Sequence, residues 1–198
     1  MPRTAKQNQQ LKEERRGELL EAARRVFARK GLAASKMADI AAAAGISYGL
    51  VYHYFPDKEA VFATLVEDAV QQGIQLITRA RQGPGTPWEQ LGWLFAQMLE
   101  GVREEPSIPL ILVQAHASES IPAPVERSLT RYSAQFFQQL VELLEAGQRA
   151  GQVVDTPAGE LARTLIATLQ GLALTQILPH HKGAWFPSAH TVLRVLKP

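Results

Sequence analysis

A chain of 198 residues with 46% apolar and 20% charged residues has ordinary globular composition and is long enough to bury a sizeable core, which excludes a disordered or fibrous protein. It contains no cysteine, which excludes a disulfide framework, a thiolate zinc site, an iron–sulfur cluster and a cysteine nucleophile. The net charge of +2 is unevenly placed: residues 1–58 carry 11 Lys/Arg against 6 Asp/Glu, and residues 59–198 carry 10 against 13, which fits either a polyanion-binding head or a salt-laced helix surface.

Residues 1–18 are rich in charge and hold no apolar run, so a secretory signal is not expected. Helical periodicity then dominates, with no sustained alternation and no Asn-Gly or Asp-Gly hairpin signal, so the expected fold is all-α with about nine helices. A first helix is predicted from about Gln10 to Lys30 on the face Leu19, Leu20, Ala23, Val26 and Phe27, stopped by Gly31. Ser35 is the expected N-cap of a second helix, Lys36–Ala44, and Gly45 its breaker. Ser47 is the expected cap of a third, Tyr48–Tyr54, closed by Pro56. Asp57 is the cap of a fourth, about Lys58–Arg81. Thr86-Pro87 opens a fifth to Glu104, and a sixth is expected at Ile108–Ala117. The connector Ile121-Pro122-Ala123-Pro124 leads to a seventh helix, Val125–Ala150. Thr156-Pro157 opens an eighth, Pro157–Leu178, and Ser188 caps a short ninth, Ala189–Leu196. The charge-free stretch Thr164–His181 is too polar for a membrane span of roughly 20 apolar residues, and a cytoplasmic location is the expectation.

The densest signal lies in Ser35–Tyr54. A short helix, a glycine free to take positive φ and a second short helix make a helix-turn-helix, with Ile40, Ile46 and Val51 as its buried wedge. The second helix leaves Ser47, Tyr48, Gly49, Tyr52 and His53 exposed, groups able to meet phosphates and base edges, whereas an ordinary helical corner would poorly explain such a cluster. The run Gly45-Ile46-Ser47-Tyr48-Gly49-Leu50-Val51-Tyr52-His53-Tyr54-Phe55-Pro56-Asp57-Lys58-Glu59 resembles the signature of the TetR family of bacterial transcription regulators, as do Ala22–Gly31 and Met37–Ala44 before it. The resemblance covers about Glu18–Val66; Tyr48 and Leu50 depart from it, standing where many members carry a small polar or basic residue.

The resemblance implies a homodimer that holds a palindromic double-stranded DNA operator and represses transcription until a small effector binds. Carried over residue by residue, Ser47, Tyr48 and Gly49 would enter the major groove; Tyr52, His53 and Tyr54 would meet phosphate, sugar or a thymine methyl; and Lys58 and Lys36 would hold phosphates at helix starts. Arg3 and Lys6 form either a DNA-tightening arm or a solvated tail. The expected division is a DNA-binding domain at 1–58 and a helical ligand-binding and dimerisation domain at 59–198, with the fourth helix as connector.

In the second domain Phe95, Met98, Leu112, His116, Tyr132 and Phe136 form an apolar-aromatic set with polar tips that suits either a ligand cavity or a dry core. Leu165, Leu169, Gly171 and Leu172 of the eighth helix fit the dimer seam that the resemblance implies. Trp93 falls opposite the apolar face of the fifth helix. The adjacent His180 and His181 in a Pro/Gly loop are expected to be solvated rather than metal ligands, and the usual nucleotide, zinc-protease and serine-hydrolase motifs are missing, so neither a cofactor nor a catalytic role is expected. The alternative is a helical-bundle carrier or enzyme without a DNA role, which leaves the Tyr-His-Tyr-Phe helix and the charge split unexplained.

Overall fold

The computed structural model describes residues 5–117, 121–177 and 186–198. The fold is all-α: α1 (Ala5–Ala34), α2 (Met37–Ala44), α3 (Tyr48–Tyr54), α4 (Lys58–Gln82), α5 (Pro87–Glu104), α6 (Ser107–His116), α7 (Ala123–Arg149), α8 (Ala158–Ile177) and α9 (Ala189–Leu193), followed by a 3-10 turn at Arg194–Leu196. Leu178, His180, His181 and Arg3, and the side chain of Lys6, lie outside the described residues. Among the described residues no helix is long and apolar enough to cross a membrane.

Local chemistry sets most boundaries. The Asp57 carboxylate accepts from the Ala60 amide at 2.7 Å and starts α4. Thr86 and Glu89 close a reciprocal box on α5: the Thr86 amide donates to the Glu89 carboxylate at 2.7 Å, and the Glu89 amide donates back to the Thr86 hydroxyl. Other starts differ from the sequence expectation. Ser35 does not cap α2; its buried hydroxyl turns back to the Gly31 carbonyl at 2.5 Å, where α1 breaks at φ 74°. The cap of α2 is Lys36, whose amide donates to Asp39 at 3.0 Å. Pro157 stands at the cap of α8 rather than inside it, its carbonyl accepting from Glu160 and Leu161. The connector before α7 ends at Pro122, whose carbonyl takes the first helical bonds from Val125 and Glu126.

Two apolar clusters hold the molecule. The head cluster gathers Leu19 and Phe27 of α1, Ile40 of α2, Val51 of α3 and Phe62 of α4, and continues into Ile111 and Ala115 of α6 and Val125 and Leu129 of α7. The body cluster joins Leu91, Leu94 and Phe95 of α5 to Leu140 and Leu144 of α7, Leu165 and Leu169 of α8, and Leu193. Thus α4 and α6 run through both halves: Phe62 and Leu65 belong to the head and Ile77 and Ala80 to the body, while Ile111 belongs to the head and Leu110 to the body. A partly exposed ion pair, Arg24 to Glu105 at 3.5 Å, ties α1 to the turn before α6.

Candidate functional site

The turn between α2 and α3 is built as the sequence requires. Gly45 sits at φ 64°, ψ 30°, a left-handed conformation that an L side chain adopts at a cost, and the Ile46 amide returns to the Ala41 carbonyl at 3.1 Å. Ile40 and Val51 are fully buried and Ile46 is half-buried, so the wedge between the two helices is apolar. Phe55 closes α3 beneath the guanidinium of Arg16, 5.1 Å from its ring centre.

This packing turns one face of α3 outward. Ser47, Tyr48, Gly49, Tyr52 and His53 are exposed. Ser47 occupies the N-cap position without a side-chain cap bond. A Cβ on Gly49 would meet nothing within 4 Å, so the fold itself does not require glycine there. Tyr54 is half-buried against the head cluster, its ring edge-on to His53 at 5.5 Å. Lys36 is exposed at the start of α2. The Asp39 carboxylate below it accepts from Lys30 at 2.8 Å, and this bond, with the Lys36 amide, holds its pKa below the usual carboxylate value.

Lys58 is placed otherwise than the phosphate role requires. Its ammonium donates to three carbonyls at the end of α1, Leu32 at 2.9 Å, Ala33 at 3.1 Å and Ser35 at 3.0 Å. All three N–H bonds are spent on orphan helix-end acceptors, where a cation is also favoured by the helix dipole. Lys58 therefore clamps α4 to α1. Lys58→Met is expected to lower stability by about 1.5–3 kcal/mol in urea unfolding, the range for hydrogen bonds to a charged group. The salt slope of DNA binding should stay unchanged, whereas a lost phosphate contact lowers it by about one unit.

Between α4, α5, α6, α7 and α8 lies a cavity of about 530 Å³. Met98, Leu112, His116, Tyr132 and Phe136 line it, as one reading of their pattern allowed. Phe95 does not; it is fully buried in the body cluster with Leu91 and Leu94. Sequence reasoning missed Gly73, Ser133, Phe137 and Gln170 in the lining. Gly73 was visible as a small residue one turn from Ala69; a Cβ there would stand 3.9 Å from Phe136 Cδ2, an ordinary contact, so the ring packs beside it without requiring glycine. Among the described residues the lining carries no Lys, Arg, Asp or Glu. His116 donates through Nδ1 to the Leu112 carbonyl at 2.8 Å, which leaves Nε2 as the acceptor for the Ser133 hydroxyl at 3.3 Å.

The α8 seam also needs correction. Leu165 and Leu169 are buried in the chain's own body cluster, and Leu169 also borders the cavity, so neither is surface for a partner. Leu172 is half-buried against the same cluster. Gly171 is exposed with open space around it, and Leu174 is 50% exposed. Trp93 is exposed on the outer face of α5.

Comparison with known proteins places these features. Residues 19–65 match the family model of bacterial regulatory proteins, tetR family. The chain is 30% identical over 137 residues to the HTH-type transcriptional repressor KstR2 of Mycobacterium tuberculosis, covering 69% of this chain and 68% of that protein. It is 31% identical over 93 residues to the HTH-type transcriptional regulator YfiR of Bacillus subtilis, where the match spans only 45% of the relative's length. The solved structure of the ketosteroid transcriptional regulator KstR2 of Mycobacterium tuberculosis superposes with a TM-score of 0.77 at 25% identity, covering 93% of this chain and 95% of that one.

Proposed function

The chain belongs to the TetR family of bacterial regulatory proteins, and from this premise we propose that it is a homodimeric repressor released from a palindromic operator by a small, largely apolar effector. The observation that carries the reading is the double duty of α6. Leu112 and His116 face the cavity, while Ile111 and Ala115 on the same helix pack in the head cluster. A ligand that shifts α6 thereby shifts the surface on which α1 rests. The fourth helix is shared in the same way, with Leu65 in the head cluster and Gly73 at the cavity. Coupling between two sites needs an element with contacts to both, and its energy is the difference in ligand affinity between the two arrangements.

The effector class follows from the lining. Among the described residues the lining has no charged side chain to act as counter-ion, and an ionised ligand buried against it would lose its hydration without compensation. The polar pair His116–Ser133, with the Tyr132 hydroxyl and the Gln170 amide, supplies a few hydrogen-bonding points on a largely aliphatic and aromatic wall. The name of KstR2 as a ketosteroid regulator supports the same broad class, a largely apolar ligand. The test uses a duplex selected by the protein from a random pool, with progesterone as the ligand and citrate as the polar control. Progesterone is expected to release the duplex and citrate to leave it bound; release by citrate alone would reject the apolar class.

The operator geometry calls for a twofold partner, because a palindrome presents two identical half-sites about 34–36 Å per helical turn apart. The open face around Gly171 and Leu174 of α8 is the surface we assign to it. Gly171→Arg has room in the single chain, since nothing lies within 4 Å of its Cβ position. The variant should stay helical yet sediment as a monomer where the parent sediments as a dimer; a monomeric parent at micromolar concentration would reject the assembly.

A further inference from the structure

The outward face of α3 has an unusual chemistry for a helix that reads DNA. Between Ile46 and Tyr54 there is no Arg, Lys, Asn, Gln, Asp or Glu. Those are the side chains that grip base edges in the major groove: Arg or Lys on guanine, Asn or Gln on adenine, Asp or Glu on cytosine. In their place the exposed positions are Tyr48 at 54% exposure, Tyr52 at 43% and Leu50 at 37%, beside Ser47 and His53.

The two tyrosines act as one body. They stand one helical turn apart, their ring centroids 5.0 Å apart in an edge-to-face arrangement, and their hydroxyls are hydrogen-bonded at 3.0 Å. The mutual bond consumes one of the two phenolic protons, so the pair keeps one donor and presents mainly ring edge and carbon. Leu50 adds an exposed branched aliphatic group on the other side of the same helix, about 200° round from Tyr48. The first 58 residues carry a cationic excess in sequence, and Lys36 at the start of α2 is exposed. An exposed helix that presents rings and aliphatic carbon suits a groove whose floor exposes methyl groups. Thymine is the one base that presents an apolar group in the major groove, its C5 methyl.

We propose that this protein recognises its half-site chiefly through thymine methyl groups packed against Leu50 and the Tyr48–Tyr52 pair, with no bidentate purine contact from α3. The inference rests on the DNA-binding reading above and adds the chemistry of its specificity. Tyr48 and Leu50 are then the specificity-determining residues, and phosphate contacts supply affinity without sequence preference.

The test begins with selection of a duplex from a random pool by the parent protein. In the selected duplex each half-site thymine is replaced singly by deoxyuridine, which removes only the methyl. One or two positions per half-site are expected to weaken binding about three- to fivefold each, the size of one buried methyl group. In Leu50→Ala and Tyr48→Ala, both exposed positions and so compatible with folding, the thymine and deoxyuridine duplexes should bind alike, with helical content unchanged by circular dichroism. Deoxyuridine without effect at every position would overturn the inference while leaving DNA binding intact, as would a half-site guanine whose 7-deaza analogue alone weakens binding. A pool with no enrichment would instead overturn the DNA-binding reading itself, and the inference with it.

Discussion

Phe62→Ala is expected to destabilise the protein by about 3–5 kcal/mol, the range for removing a fully packed aromatic side chain. Phe62 is wholly buried, and its ring stands edge-on to Phe27 at 5.2 Å and 87°. That pair joins α1 to α4 at the centre of the head cluster, so its loss opens a cavity where α1, α2 and α3 are held in register. Urea unfolding should show the lower stability and, below the midpoint, specific DNA binding should already be lost. Tyr52→Ala gives the contrasting result. Its side chain is exposed, so stability should change by no more than about 0.5 kcal/mol while DNA affinity falls. Retained DNA affinity in both variants would remove the head from the interface.

The second large effect is expected at the cavity. Phe136 is half-buried and borders open volume on one side and Gly73 on the other. Phe136→Trp should extend into that volume at little cost to stability and abolish the response to progesterone, while DNA affinity stays within about twofold because the head packs around different residues. A dense core behaves differently: an enlarged side chain there costs about 1–3 kcal/mol through strain. Thermal unfolding of the variant, measured beside a DNA-release titration, separates the two. Intact stability with lost response identifies a binding cavity, and lost stability identifies packed core.

The helices and the helix-turn-helix were legible because their signals are local. Asp57 and Thr86 cap from within three residues, and Gly45 sits in the one conformation that glycine takes without penalty. Roles that depend on a distant partner were not legible. Lys58 reads as a free cation at a helix start, yet its partners lie up to 26 residues away at the end of α1. Ser35 has the chemistry of a cap, but the backbone break at Gly31 offers its hydroxyl a nearer acceptor. On α8 the periodicity correctly marks Leu165 and Leu169 as an apolar face, but it cannot say that the neighbour meeting that face is the chain's own body cluster. The same ambiguity separates Phe95, which packs against Leu91 and Leu94, from Met98, which reaches the cavity wall.

The exposed face of α3, held by this head, is expected to bind a particular duplex sequence. The most direct measurement is a fluorescence-anisotropy titration of the parent protein and Tyr52→Ala against the selected duplex and a scrambled duplex of equal length, at two salt concentrations. The parent is expected to prefer the selected duplex by about a thousandfold or more, with both affinities falling as salt rises. In Tyr52→Ala that preference should shrink. Equal affinity of the parent for the two duplexes at both salt concentrations would contradict the account.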